Sequence, residues 1–521
     1  MTDVIVIGGG HNGLVTAALL ARRGLATVVL ERRASVGGAA VTDEIHPGFR
    51  ISTLAHSSHV NASLVSELGL LTHGLELIEP DPHLFVPLPD GRGLSLGRDP
   101  EASAASIAQF SKQDAQRYAD YSAAMDRIRR FVADVLAGTP PDIEHPSGGD
   151  LWQLLSLGRR FRGLGKRDAY RLLRWAPMPA ADFATEWFES EPLRAAIAAP
   201  GIFGTSFGPR SAGSTAVLLM KMAAGDGPPQ LVRGGLGALT ASLASAARAA
   251  GADVRPNADV ARVNVREGRA TGVTLSSGET LDARAVVSNA DPRRTLLSLV
   301  DPIALEPGFL ARMRSYRSSG TVAKVNLALS RLPTFASAAA NPRALGGFIQ
   351  IGPELEYLER AFDASKYGTY SARPFMEITI PSLTDPALAP EGAHVMSITA
   401  QFAPYHLRGG GGWDVAGELF ADTVIDTLAE YAPDLKELIV HRDVITPVDL
   451  ENRYGLTGGH IFHGELSLDQ VFTMRPLLGW ARYRTPVAGL YLCGAGTHPG
   501  YGVSGTSGAN AAREILKDLS A

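Results

Sequence analysis

Cysteine is almost absent from this chain: Cys493 is the only one in 521 residues. One thiol excludes an intramolecular disulfide and any CxxC pair, and with them dithiol redox chemistry. Cys493 ends the apolar run GLYLCG and reads as a packed strand thiol rather than a point of covalent attachment. A basic surplus is missing too, because 49 Lys and Arg stand against 53 Asp and Glu, a net charge of −4. No nucleic-acid partner is expected from that balance. No apolar run reaches the roughly 18 residues of a membrane span. The first apolar strand begins at Val4, which leaves no room for a signal or transit peptide, so a cytoplasmic location is expected. No HxxxH, paired CxxC or carboxylate-rich loop stands at ligand spacing, and His460 with His463 is only an i, i+3 pair, so no metal is expected. No GxSxG marks a serine hydrolase, and no period of about 20 to 50 residues marks a repeat array.

What is present begins at once. Residues 4–38, VIVIGGGHNGLVTAALLARRGLATVVLERRASVGG, spell a complete βαβ dinucleotide site. The run from Val4 to Ile7 predicts a buried parallel strand. Gly8, Gly10 and Gly13 supply the tight turn, the close approach to pyrophosphate and the close helix packing. A helix over residues 14–21 presents its N-terminus to the phosphates, and residues 27–30 form the second strand. Glu31 at its end is placed to accept hydrogen bonds from both ribose hydroxyls, where a 2′-phosphate would be repelled. The continuation ERRASVGGAA, with Arg32, Gly37 and Gly38, resembles the extended motif of FAD enzymes, in which a second glycine pair follows the acid. FAD is therefore expected rather than NAD. The block RGGLGALT lacks the third glycine of a second such motif, so no NAD(P)H domain is expected. Oxygen, a quinone or another carrier is left as electron acceptor.

A second glycine cluster lies at the far end, in YLCGAGTHPGYGVSGTSGANAA, and again reads strand, glycine loop, helix. A third block, residues 230–289, reads helix, strand, hairpin and a final strand over residues 285–288. Three separated segments thus predict one discontinuous Rossmann-like α/β FAD domain, residues 1–75, 228–300 and 485–521. The remainder, residues 76–227 and 301–484, is expected to be an inserted α+β substrate domain of mixed sheet and helical cap. It shows a hairpin around Asp90-Gly91, helical residues 101–175, and alternating strands over residues 321–402.

Together the three segments resemble the phytoene desaturase-like branch of the flavin amine oxidase superfamily, in the same order and across nearly the whole chain. ENRYGLTGGHIFHGELSLDQVF, MRP and LYLCGAGTHPGYGVSGTSGANAA are similar to the signature of the subgroup that includes pyridine nucleotide-disulfide oxidoreductase domain-containing protein 2. The chain departs from it at Tyr501, where the subgroup usually has glycine; a phenol there would narrow the substrate channel. The resemblance implies that Gly8, Gly10, Gly13 and Glu31 bind the ADP half of FAD and that Val260 lends backbone to the adenine. Ser288 to Ala290 would lie near the pyrophosphate, and Gly494, Gly502, Val503 and Gly505 near phosphate and ring. Lys324 is similar in position to a lysine that holds a water against flavin N5 in amine oxidases; the other reading is a strand-edge lysine in solvent.

Lys324, His498 and Tyr501 are the catalytic candidates. His460, His463 and Arg475 are further residues of the glycine-rich C-terminal segments, with a structural salt bridge as the alternative for Arg475. The first reading is hydride removal from a C–H bond of an apolar, isoprenoid- or acyl-like substrate to flavin N5. Amine oxidation and a flavin-binding regulatory protein without turnover are the alternatives. Residues 151–175 carry seven basic residues from Arg159 to Arg174 against one acid, interleaved with leucine and aromatics. They read either as a solvated cap or as a peripheral membrane contact, with Gly158, Gly163 and Gly165 interrupting a continuous helix. The oligomeric state stays open.

Overall fold

The computed structural model describes residues 2–54, 57–224, 227, 229–339, 341–409 and 411–520. Position 228, an expected domain boundary, lies outside them. Short apolar runs without alternation suit strands covered on both faces. Thr2–Ile7 is such a strand, with Val4, Ile5 and Val6 fully buried. It pairs in parallel with Thr27–Leu30 on one side and Thr280–Ser288 on the other, and Asp253–Arg255 and Leu490–Leu492 complete the parallel part of the sheet. Helices His11–Arg22, Leu236–Ala249 and Thr506–Ser520 bury their apolar faces in one cluster containing Leu14, Leu20, Leu239, Leu243 and Ile515. This is the expected α/β, Rossmann-like arrangement.

The sequence pattern predicts two pieces around residue 281, a hairpin arm and a returning strand, but they form one continuous strand, Thr280–Ser288. Its residues 280–282 pair antiparallel with Arg269–Leu275, and residues 283–288 pair parallel with Thr2–Ile7. Exposure alternates in the first half and ceases in the second, because the strand passes from an outer hairpin into a sheet covered on both faces.

The second sheet has seven strands in the order Ile439–Ile445, Val322–Leu329, His394–Gln401, Met376–Thr379, Phe348–Ile351, Leu84–Pro87, Gly93–Leu96. All eight residues of Val322–Leu329 are buried, so the expected alternation is absent there. Val325 and Leu327 pack with Phe420, Val424 and Leu428 of helix Gly412–Ala429, while Lys324 on the other face lines a cavity.

The cap is helical over Pro100–Ala108, Lys112–Ala137, Gly148–Gly163 and Gly165–Trp175. Of the three glycines expected to interrupt residues 151–175, Gly158 lies inside a helix and Gly163 ends it. Only Gly165, with φ +77°, starts a new direction. Trp152, Leu155, Tyr170 and Leu173 are all more than 60% exposed. Among the described residues no helix is long and apolar enough to cross a membrane.

Candidate active site

One cavity of about 780 Å³ runs from the Gly8 loop, past Glu31 and Val260, to Lys324 on the second sheet and Tyr121 of the cap. At its nucleotide end, Gly8 with φ +91° turns the chain out of the first strand. Helix His11–Arg22 then opens with no side-chain cap, so its first amides are left to a ligand. The glycines are sterically required. A Cβ on Gly13 would lie 2.3 Å from the Gly8 carbonyl oxygen, and one on Gly10 would lie 2.5 Å from Asn289 Nδ2. The Glu31 carboxylate accepts from the Gly9 amide at 2.8 Å and the Arg33 amide at 2.9 Å, which fixes it at the mouth of the turn. Arg32 donates to the Arg453 carbonyl at 3.1 Å, and Arg33 donates to the Gly38 carbonyl at 3.1 Å while lying over the Tyr454 ring. Gly37 and Gly38, both at positive φ, and Val260 also line this end.

At the other end the floor is the second sheet. Lys324, Thr399 and Glu377 are cross-strand neighbours on three adjacent strands, and all three face the cavity. Lys324 Nζ donates to Ser397 Oγ at 2.6 Å and Thr399 Oγ1 at 3.3 Å. Burial holds its amine well below the usual lysine range, although Glu377 and Asp443 pull the other way. Lys324 thus lies on an interior strand of the sheet and is buried, and the strand-edge reading in solvent does not hold. Burial likewise raises the Glu377 carboxyl, with Lys221 and Lys324 opposing. Tyr501, Gly502 and Val503 close the cavity from the C-terminal loop, with Gly502 at φ +70° against the His59 ring.

Most of the remaining sequence candidates stand behind this surface. Of the segment Ser288 to Ala290, Asn289 and Ala290 line the cavity, while Ser288 is fully buried with Oγ 2.7 Å from Thr295 Oγ1. Gly494 and Gly505 are packing glycines: a Cβ would meet the Asn289 carbonyl oxygen at 2.6 Å and Leu64 at 2.7 Å, respectively. His498 does not reach the cavity. Its ring lies fully buried 3.1 Å from the Leu136 carbonyl oxygen, and its own carbonyl accepts from Tyr483 and Ser507, which corrects its catalytic candidacy to a packing role. Of the histidine pair, His463 lines the cavity at φ +59°, whereas His460 turns its Nδ1 onto the Phe462 amide. Arg475 makes neither a site contact nor the expected salt bridge. It is fully buried and donates to the carbonyls of Phe462, Gly464, Glu465, Gln470 and Ala495. Cys493 is a buried thiol pushed up to about 12 by burial.

Sequence reasoning missed Lys221, Glu377, His59 and His11. A signal existed for two of them, since Lys221 in STAVLLMKMA and Glu377 in FMEITI are single charges inside apolar runs. Lys221 is lowered to about 7, mainly by burial. His11 Nε2 and His463 Nδ1 are buried without a protein partner and belong to residues lining the cavity. These orphaned atoms, the glycine cradle and the uncapped helix fit a dinucleotide carried through to the sheet floor.

His11, His59, His460 and His498 are each lowered from 6.5 to about 4, in every case chiefly by burial. Above pH 6.5 both folded and unfolded states hold these rings neutral. As pH falls from 6.5 toward 4 only the unfolded state takes up the protons, so stability is lost across that window. Urea unfolding between pH 7 and 4.5 is expected to show a steep fall in midpoint; a flat midpoint would contradict the buried neutral assignment.

A family model described as flavin containing amine oxidoreductase matches residues 13–516. The rat protein named pyridine nucleotide-disulfide oxidoreductase domain-containing protein 2 is 40% identical over 99% of this chain and 94% of its own length. A limonene dehydrogenase component from Castellaniella defragrans is 28% identical over 99% of this chain and 95% of its own. Among solved structures, cyclohexylamine oxidase from Brevibacterium oxydans superposes with a TM-score of 0.59 at 17% identity, covering 100% of both chains. That last likeness is one of fold.

Proposed function

The chain belongs to the flavin containing amine oxidoreductase family and is an FAD-dependent oxidoreductase; from that premise we propose that it dehydrogenates an apolar, isoprenoid- or acyl-like substrate at a C–H bond. The observation that carries this reading is the cavity beyond the nucleotide end, where Tyr121, Met125, Ile197, Leu218 and Met222 form an apolar arm. An arm of that kind takes an extended hydrocarbon and excludes water from its reacting end. FAD supplies the two-electron acceptor for the hydride. Gly8, Gly10, His11, Glu31, Gly37, Gly38 and Val260 would hold its ADP half, and Tyr501, Gly502 and Val503 would line the side toward its ring. Lys324 is a positioning residue: tethered to Ser397 and Thr399, with burial holding its amine well below the usual lysine range, it offers hydrogen bonds at the floor. The limonene dehydrogenase relative supports an isoprenoid class.

The test is anaerobic. Neutral isoprenoid hydrocarbons and saturated acyl compounds are expected to bleach the visible band of the FAD-loaded protein, and a panel of primary amines to leave it unchanged. Bleaching by amines alone would overturn the reading in favour of amine oxidation.

The cap offers such a substrate a way in from lipid. Helices Gly148–Gly163 and Gly165–Trp175 expose Trp152, Leu155, Tyr170 and Leu173 amid arginines, and Arg127 of the neighbouring helix holds Asp168 at 2.6 Å, with cavity-lining Asp126 and Arg129 beside it. Basic and apolar residues together suit an anionic bilayer surface. Co-sedimentation with phosphatidylserine vesicles is expected at low salt and should weaken in high salt and in Trp152→Glu; no binding at low salt would remove the idea.

A further inference from the structure

Three aromatic rings converge on one amine inside the cavity. Lys221 Nζ lies 5.1 Å from the ring centroid of Phe203, 5.4 Å from Tyr501 and 5.6 Å from Phe462. It also donates to the Phe203 carbonyl oxygen. The cluster is compact, with the Phe462 and Tyr501 centroids 5.3 Å apart and His59 5.3 Å from Tyr501. All five residues line the cavity. A cation within about 6 Å of several ring faces is the arrangement by which proteins recognise ammonium groups. Here the chain supplies that group itself.

Lys221 stands in the last turn of Ser214–Ala223, a helix in which Val217, Leu218, Leu219 and Met220 are buried. Lysine on such a helix usually runs its stem along the surface and keeps its ammonium in water. Lys221 is only 8% exposed and turns inward, where Glu377 and Glu465 favour its charged form against burial.

We propose that Lys221 is a specificity-determining residue that fills the cation-accepting ring cluster of the substrate cavity, so that the site refuses ammonium-bearing molecules and takes neutral or anionic apolar ones. The block is steric while the amine is neutral and electrostatic as well once it is charged. A substrate ammonium must displace the side chain or sit against a like charge. This rests on the reading of the cavity as the substrate site and deepens it. It places the discrimination between hydrocarbon and amine in one side chain.

The test measures binding, not turnover, so it stands even if no substrate ever bleaches the flavin. The FAD-loaded wild type and Lys221→Ala are titrated with benzyltrimethylammonium and with its neutral carbon isostere, neopentylbenzene, following the perturbed flavin spectrum and intrinsic fluorescence. The wild type is expected to bind the neutral probe and not the cation. Lys221→Ala is expected to bind the cation at least about 30-fold more tightly than the wild type does, with a change of no more than about 3-fold for the neutral probe. If Lys221→Ala does not retain FAD, Lys221→Ser, which also removes the amine and vacates the ring cluster, carries the same comparison with the gain in the same direction. Equal binding of both probes by the wild type, or no gain for the cation in a flavin-loaded variant, would overturn the proposal.

Discussion

Gly13→Ala is expected to purify without flavin. The added methyl would stand 2.3 Å from the Gly8 carbonyl oxygen and 3.2 Å from Asn289 Cβ, and neither neighbour is the free end of a flexible side chain. Relief requires moving the start of helix His11–Arg22 away from the Gly8 turn, which takes the helix amides off the line of the phosphates. Strain of this size costs about 1–3 kcal/mol locally, and the lost alignment brings the expected fall in FAD affinity to about 100-fold. Flavin absorbance per chain after purification, with far-ultraviolet circular dichroism to show that the chain is folded, measures it. Gly158→Ala is the matched control, since that helical glycine faces open space and should keep its flavin. A folded Gly13→Ala with a full complement of FAD would contradict this close packing.

Arg475→Met is expected to be the most damaging single change outside the nucleotide loop. The guanidinium lies fully buried and satisfies five carbonyls drawn from residues 462–470 and from Ala495. Met fills part of the volume but provides no donor, so several acceptors are left dry. One buried acceptor without a partner costs about 1–3 kcal/mol, and losing the whole hub is expected to cost about 3–5 kcal/mol. The same hub shapes the site, because Phe462 and Ala495 line the cavity and Gly500 packs directly on the guanidinium, with a hypothetical Cβ 2.1 Å from Nε. Urea unfolding should therefore show the destabilisation together with faster loss of FAD on dilution. A variant within about 1 kcal/mol of the wild type would mean that water replaces the donors.

These two positions differ in how much of their role could be read in advance. Gly13 belongs to a local pattern: a strand, three glycines at fixed spacing, a helix and an acid are all set by neighbours in the chain, and short-range sterics leave few other solutions. Arg475 does not. Its partners are close in sequence, yet whether a buried arginine meets a carboxylate or a ring of carbonyls depends on how the loop of residues 462–470 folds back on the loop after Leu490–Leu492. His498 illustrates the same limit, for a histidine inside a glycine-rich segment can face either side of its loop, and only the packing against Leu136 decides that it turns away.

The FAD-type nucleotide motif, the α/β class, the order of the segments and the absence of dithiol chemistry were all legible in the residues alone, because each follows from local periodicity, turn sterics or residue count. How the residues lining the cavity come together was not, and the folded arrangement decides it. Lys324, Thr399 and Glu377 become neighbours through pairing of strands far apart in the chain. Lys221 meets Phe203, Phe462 and Tyr501 across a cavity bounded by both sheets and the cap. Such contacts are set by the register of nonlocal strands and by which face of a helix is buried, and neither quantity is a property of any short stretch of sequence.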